Sequence, residues 1–405
     1  MQILILAAGE SSRFWPFSEF YHKSLLKIGG KTILERVIDN LNKNEIILVM
    51  NPKTEIPENI LKRKNVTIIK QEEPKGMDDA ILKARNLIKD EFLVVMPYYI
   101  NIADCLKQAA GVKAPAIAVK KYENGEEKTH GIARIENGKI TEIREKQKFE
   151  KGDYSIIGIY KLNKEIINRL DKKLNDGYNF EAVLNELAKT AGLNYFMTEK
   201  LPSLKYVTDL LSIRELIYDD DKTHEKTDIY RKSDTVFIEK TVLMGKNVKL
   251  GNNVSLKGKT IIGSDSFIGD NVLIRNSILG EGTKIGFGTE IARSIIMDNT
   301  HIHSGFIGDS VIGKGCRIGA AFITGNRRID RKTIKIKVKS EEYDTGLTHL
   351  GVVMGNNVKT GINTSIMPGT IIGNNSVIGS NTEVNGKIES NKLVYSKKKI
   401  VEKQL

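Results

Sequence analysis

Residues 250–274 read LGNNVSLKGKTIIGSDSFIGDNVLI, and within them Leu250, Leu256, Ile262, Ile268 and Ile274 stand six apart. The spacing returns downstream at Met354, Thr360, Ile366, Ile372, Ile378 and Val384, and several of these positions are followed by Gly. Six residues make one flat side of a triangular coil whose aliphatic residue points inward. Stacked coils then bury a continuous core that one repeat could not bury alone. The phase slips near Leu279, and residues 327–350 interrupt it with a polar, basic insertion. Insertions in a solenoid map to surface loops, often on its binding face.

Upstream the pattern is different. Short apolar runs at 2–6, 45–50, 66–69, 91–96 and 116–119 alternate with helical-period segments such as 32–41 and 77–88. Strand and helix in turn predict an α/β Rossmann-like domain with a mostly parallel sheet covered on both faces. Ligands of such sheets sit beyond the carboxyl ends of the strands, so residues 7–13, 71–76 and 97–101 are expected in one crevice. The expected organisation is a first domain over 1–222, a charged linker over 223–235, a β-helix over 236–388 carrying the insertion 327–350, and a basic tail over 389–405.

The chain has 405 residues, 40% hydrophobic and 28% charged, with no apolar run of membrane-spanning length, so no membrane partner is expected. Met1 leads directly into the first apolar run without a charged leader, which predicts a cytoplasmic location. Cys105 and Cys316 are too far apart in sequence to make a disulfide framework or a metal knuckle. The net charge of +13 suits small polyanions such as nucleotides, sugar phosphates and coenzyme A. Nucleic acid ranks last, because no recognition motif or stacking platform accompanies the lysines. Basic runs at 62–64 and 397–399 read as solvated surface, whereas the run at 327–339 falls inside the insertion.

The first run ends in Ala7-Ala8-Gly9-Glu10-Ser11-Ser12-Arg13, placing small residues where backbone N–H groups can approach phosphate. It continues through Phe14-Trp15-Pro16-Phe17-Ser18 to Lys23 and Leu25. This resembles the signature loop of sugar-1-phosphate nucleotidyltransferases, with Ser11 for the second glycine and His22 for the proline before the lysine. Gln71-Glu72-Glu73-Pro74-Lys75-Gly76 resembles the family's base-reading segment, Glu145-Lys146-Gln147 its E-K-P motif, and Gly158-Ile159-Tyr160 its G-I-Y strand. The resemblance implies nucleotide contacts at Ala8, Gly9, Gln71 and Gly76. It implies triphosphate contact and transition-state charge at Arg13 and Lys23, and sugar-phosphate contact at Lys146. The family holds Mg²⁺ with two aspartates, and here Tyr98 and Ser203 stand in their places. A phenol and an alcohol are poor Mg²⁺ ligands beside carboxylates. Asp78, Asp79 and Asp104 are close enough in sequence to substitute, although aspartates at helix starts are commonly caps.

Downstream, His303-Ser304-Gly305-Phe306-Ile307-Gly308-Asp309-Ser310 precedes Gly319-Ala320-Ala321-Phe322-Ile323-Thr324-Gly325-Asn326, then Asp344-Thr345-Gly346 and Leu350-Gly351. The order is similar to the acetyltransferase domain of bifunctional enzymes that acetylate glucosamine 1-phosphate and uridylylate the product, especially archaeal members. That resemblance implies a left-handed parallel β-helix, a homotrimer and acetyl-CoA as co-substrate. Carried over position by position, it makes His303 the base, Asn326 the amide that holds the sugar or the developing oxyanion, and Lys332 and Lys335 the phosphate-binding lysines. Imidazole suits the first role because its pKa lies near neutrality. Phe306 stands where tyrosine is usual, and Ala321-Phe322 where Gly-Thr is usual. His301 reads as an ordinary surface residue.

The leading expectation is therefore an acetyl-CoA-dependent N-acetyltransferase acting on an amino-sugar 1-phosphate, fused to a nucleotidyltransferase domain weakened at its Mg²⁺ site. A second reading is an active nucleotidyltransferase using UTP or dTTP with relocated acidic ligands. A third is a non-catalytic regulatory subunit that binds a nucleotide-sugar and pairs with an active paralogue.

Overall fold

The computed structural model describes the chain except residues 53, 74, 123–130, 146–147, 174–178, 199–200, 203, 223, 227–233, 339–340, 398–401 and 404–405. The expectations for Lys146, for Ser203 and for most of the linker 223–235 lie outside the described residues. The chain forms two compact units, Met1–Glu10 with Ile33–Ser203, and Ser11–Thr32 with Leu204–Leu405.

In the first unit the apolar runs become strands β1 (Gln2–Ala7), β2 (Glu45–Met50), β3 (Val66–Lys70), β4 (Glu91–Val95) and β5 (Ala116–Lys121). These are followed by β6 (Ile132–Glu136), β7 (Lys139–Arg144), β8 (Asp153–Asn163) and β9 (Asn194–Met197). One sheet runs β9-β5-β8-β4-β1-β2-β3, with β6 and β7 joined off this path. Strand β1 is parallel to β2 and β4, β2 to β3, and β9 to β5, while β8 lies antiparallel between β4 and β5. Residues 46–50 are each at most 1% exposed. Successive strand residues point to opposite faces, so this sheet is covered on both, as the α/β reading predicts. Because β1, β3 and β4 run in the same direction, Ala8, Gln71 and Tyr98 all leave the same edge of the sheet.

The second unit is the left-handed parallel β-helix that the hexapeptide repeat implies. Three sheets of nine, eight and eight strands form its sides. Leu256 pairs with Ile274 and Leu250 with Ile268, so one coil is 18 residues and three hexads. The inward Leu256, Ile262, Ile268 and Ile274 are all 0% exposed and belong to one apolar column running to Val384. The phase slip near Leu279 is a shortened coil: Ile262 pairs with Leu279, 17 residues on, and Ile295 with Val311, 16 on. At the corners, three residues after an inward-facing residue, the backbone turns through positive φ at Asn253, Asp265, Asn271, Asn299, Asn357, Asn363, Asn375 and Asn381. Asn and Asp tolerate this region better than other non-glycine residues. The corner amides also stack, with Asn253 Nδ2 donating to Asn271 Oδ1 at 2.9 Å and Asn357 Nδ2 to Asn375 Oδ1 at 3.2 Å.

The insertion leaves the stack intact. Val311 pairs with Val353, and Val352 with Thr370, so the coils meet across the excised residues. The Leu350 N–H donates to the Asn326 carbonyl at 2.9 Å and closes the neck. Within the insertion a hairpin pairs Lys335–Val338 with Glu341–Asp344. Ile334 and Ile336, 1% and 3% exposed, pin it against the coil at Gly369.

Residues 11–32 and 204–220, which the sequence reading groups with the first domain, pack in space on the β-helix. Lys27 Nζ meets Glu281 at 2.6 Å and Asp298 at 3.1 Å, and Asn374 Nδ2 donates to the Pro16 carbonyl at 2.6 Å. The helix Asp209–Asp220 is held by Arg214 Nη1 on the Arg293 carbonyl and by the Tyr218 hydroxyl on the Thr241 carbonyl. Such contacts between residues up to 358 apart have no local sequence signature.

Candidate functional site

His303 sits just beyond the strand His301–Ile302, at a corner of the β-helix, with its backbone N–H on the Ile318 carbonyl. Its side chain is exposed and lines a groove of about 500 Å³ with Phe267, Phe287, His301, Arg317 and Thr360. Among the described residues no group hydrogen-bonds the His303 ring. His301 is held below the usual imidazole range by burial and by the Arg317 and Lys284 charges. His303 is thus the ring left open toward an incoming ligand.

Phe306 lies on the next strand, Gly305–Gly308, and its ring and the Asn326 amide of the following coil both lie over Gly308. A Cβ at Gly308 would stand 2.7 Å from Phe306 Cζ and 2.9 Å from Asn326 Nδ2, so only glycine leaves room for the pair. Asn326 Nδ2 donates to Asp309 Oδ2 at 2.6 Å, while Arg293 grips the same carboxylate through Nε at 2.6 Å and Nη2 at 2.7 Å. A carboxylate so paired only accepts, which obliges Asn326 to present its NH₂ to it and leaves Oδ1 and the second N–H for a ligand. Asp309 and Arg293 received no role from the sequence. The signal for Asp309 was its place in the Gly308-Asp309-Ser310 piece of the motif; Arg293 offers only a positive φ of 50° where a corner Asn or Gly would be usual.

Lys332 and Lys335 are exposed on the insertion. The Lys332 N–H donates to Asp330, and Lys335 Nζ meets Glu342 Oε2 across the hairpin at 2.7 Å. Among the described residues no hydrogen bond or ion pair joins either lysine to His303, Phe306 or Asn326.

Arg13 and Lys23 belong to the same unit as the β-helix. Phe14 and Phe17, both 0% exposed, anchor the segment that carries them. His22 replaces the family's proline by another device: its Nδ1 accepts the Ser24 N–H at 3.3 Å and caps the turn Lys23–Leu25. Burial, followed by the Lys23 charge, holds this imidazole down to about 3, so it is neutral. Lys23 donates from Nζ to the Leu204 carbonyl at 2.6 Å. Burial pushes its ammonium down to about 8 against the pull of Asp209, with Lys205 and Arg13 lowering it further. Asp209 accepts the N–H groups of Lys205 at 2.6 Å and Tyr206 at 2.8 Å, and burial raises its carboxyl to about 6. The exposed Arg13 guanidinium lies 5.8 Å from the Tyr206 ring centre.

In the first unit, Gln71 is 2% exposed and its Nε2 donates to Asp79 Oδ2 at 2.6 Å and to the Gly76 carbonyl at 3.3 Å. The two proposed base contacts are therefore one hydrogen-bonded element. Gly76 has φ 117°, and a Cβ there would strike Asp78 Oδ1 at 2.4 Å. A Cβ at Gly9 would meet nothing within 4 Å, so its backbone is open to a close ligand, beside Ala8 at 4% exposed. Tyr98 stands after the carboxyl end of β4 with its ring 4.9 Å from that of Tyr99. Of the substitute carboxylates, Asp79 is held by Gln71 and Asp104 is paired with Lys107 at 2.9 Å. Among the described residues no three His, Cys, Asp or Glu side chains form a metal-holding group, whereas Mg²⁺ in phosphate-transfer sites commonly takes only one or two carboxylates beside the substrate's phosphates. Tyr98, at the position of one of the family's two aspartates, is a phenol and a poor ligand for Mg²⁺. The two cysteines are buried and free, and no described helix is long and apolar enough to cross a membrane.

Residues 2–201 match the nucleotidyl transferase family, and residues 241–276 and 351–386 match the bacterial transferase hexapeptide (six repeats) family, on either side of the insertion. The chain is 32% identical over 389 residues to the bifunctional protein GlmU of Methanocaldococcus jannaschii, covering 93% of this chain and 92% of that protein. It is 36% identical over 391 residues to GlmU of Methanococcus maripaludis, with the same coverage of each chain. It is also 29% identical over 391 residues to the bifunctional sugar-1-phosphate nucleotidylyltransferase/acetyltransferase of Sulfurisphaera tokodaii, covering 92% and 94%. With both domains present in the same order and nearly the full length aligned, this chain belongs to the GlmU-type family of bifunctional nucleotidyltransferase/acetyltransferase enzymes of nucleotide-sugar biosynthesis.

Proposed function

We propose that the β-helix transfers acetyl from acetyl-CoA to the amine of an amino-sugar 1-phosphate, and that the first domain binds a nucleoside triphosphate but transfers its nucleotidyl group slowly. The first half rests on the open His303 ring in its groove and, three to five residues further along the same coil, on Phe306 and the Asp309-held Asn326 at Gly308. His303 accepts a proton from the sugar ammonium, and the neutral amine attacks the thioester carbonyl. Collapse of the tetrahedral intermediate forms the amide and expels the coenzyme A thiolate, which takes up a proton. Asn326, oriented by Asp309, offers an N–H to the developing oxyanion or Oδ1 to a sugar hydroxyl. The apolar Phe267 and Phe287 suit a pantetheine arm, and Lys284 and Arg317 suit its phosphates. Lys332 and Lys335 hold the sugar phosphate; Lys335 exchanges an exposed Glu342 for it at little cost. The assembly is a homotrimer through the β-helix.

Arg13 and Lys23 meet the triphosphate, Gln71 and Gly76 the base, Ala8 and Gly9 the backbone side of the phosphates, and Lys146 the sugar phosphate. Slow transfer is supported by the phenol of Tyr98 and by the hydrogen bond through which the buried Gln71 holds Asp79. The test is thiol release from acetyl-CoA with glucosamine 1-phosphate or galactosamine 1-phosphate, alongside pyrophosphate release with UTP or dTTP. Thiol release abolished by His303→Ala supports the assignment; none from folded wild type with either sugar overturns it. Brisk pyrophosphate release would instead favour a working nucleotidyltransferase.

A further inference from the structure

The insertion hairpin carries a residue whose contact lies away from His303. Tyr343, on the strand Glu341–Asp344, stacks on Tyr206 with ring centres 3.8 Å apart and planes 20° from parallel. Tyr206 belongs to the short loop that secures both cations of the signature segment. The Leu204 carbonyl in that loop receives Lys23 Nζ, and the Tyr206 ring lies 5.8 Å from the Arg13 guanidinium. Asp209 ties the loop down through the Lys205 and Tyr206 N–H groups. Tyr343 senses the same Asp209, whose charge, after burial, helps raise its phenol to about 12. On its other flank Tyr343 is paired with Ile336, one of the two residues that pin the hairpin to the coil at Gly369. A fixed anchor, a stacked pair and a two-cation loop thus form one continuous chain of contacts.

We propose that Tyr343 is a positioning residue for nucleoside triphosphate binding, acting through Tyr206 to hold Arg13 and Lys23 in place. The insertion that bears the acetyltransferase lysines then serves both reactions. The proposal rests on the reading that Arg13 and Lys23 meet the triphosphate. Stacking is the operative interaction, so a ring without its hydroxyl suffices, and an aliphatic side chain of similar bulk covers the loop without fixing its plane.

The test uses the full-length protein and its single tryptophan, Trp15, two residues from Arg13, as the reporter. UTP is titrated against wild type, Tyr343→Phe, Tyr343→Leu and Tyr343→Ala, following Trp15 emission and, independently, equilibrium dialysis of labelled UTP. The expected result is that Phe binds as wild type, while Leu and Ala bind about threefold to tenfold more weakly. The KM for the amino-sugar phosphate in acetyl transfer should move by less than about twofold in Tyr343→Leu. A purely structural role would weaken both substrates together in Tyr343→Leu and Tyr343→Ala. Wild-type affinity in Leu and Ala overturns the proposal alone. No UTP binding by wild type overturns it together with the reading of Arg13 and Lys23.

Discussion

Asn326 and Arg293 reach the carboxylate of Asp309 from two sides, the amide at 2.6 Å and the guanidinium at 2.6 and 2.7 Å. Asp309 is 6% exposed, so its charge depends on these partners. Asp309→Ala frees the Asn326 amide to rotate. Acetyl transfer should fall roughly 10²-fold in kcat/KM, the scale of losing a positioned group. Asp309→Asn, which keeps the shape but removes the charge, should fall between Ala and wild type. Thiol-release kinetics check the order of the three.

Gly308→Ala places a methyl 2.7 Å from the Phe306 ring and 2.9 Å from the Asn326 amide. Both side chains can swing away, so the variant should fold. The KM for the amino-sugar phosphate should rise about tenfold, because the polar edge of the site moves with them. A variant with unchanged KM would remove the Phe306–Asn326 pair from the sugar site.

Phe306→Tyr restores the hydroxyl usual at this position in the family. One added hydrogen bond contributes about 0.5–1.5 kcal/mol, so the KM for the amino-sugar phosphate should fall about threefold to tenfold. Comparing both sugars will show whether the missing hydroxyl broadens sugar choice.

The corner at Ala321 has φ 56° where neighbouring coils use Asn, Asp or Gly. An alanine in that region is strained by about 1–2 kcal/mol. Ala321→Gly should therefore raise stability by about 1 kcal/mol after the added entropy of the unfolded chain. Asn253→Ala should lower it by a similar amount, since it installs the same strain and breaks the corner amide ladder. Chemical denaturation midpoints measure both.

Lys23 and Asp209 give the nucleotide segment its pH dependence. Lys23 is lowered to about 8, so above that pH it loses the charge through which it is proposed to meet a triphosphate. UTP affinity should decline as pH rises from 7 to 9, and Lys23→Met should flatten that limb. For stability, the depressed lysine makes the folded chain bind fewer protons than the unfolded chain between about pH 8 and 10, so stability rises across that window. Asp209, raised to about 6, does the reverse: its contribution is full below about pH 4 and is lost as pH climbs through 6. Asp209→Asn should abolish the acidic part of this dependence in denaturation curves collected from pH 4 to 9.

What the sequence alone determined was periodic or local. The six-residue spacing carried the β-helix because each hexad places its aliphatic residue inward whatever lies around it, and β1 to β5 were legible because buried strands are apolar along their length. The motif order carried His303, Phe306 and Asn326 as candidates. The corner asparagines are legible too, since nearly all follow an inward aliphatic by three residues. Only the tertiary structure decided which residues share a surface. The pairing of Asp309 with Arg293 and the stacking of Tyr343 on Tyr206 join positions 16 and 137 apart, and Asn374 meets Pro16 across nearly the whole chain. Such contacts depend on where coils shorten, how the insertion folds back and which unit captures residues 11–32. Those outcomes follow from packing and burial summed over the fold, which no local pattern of residues encodes.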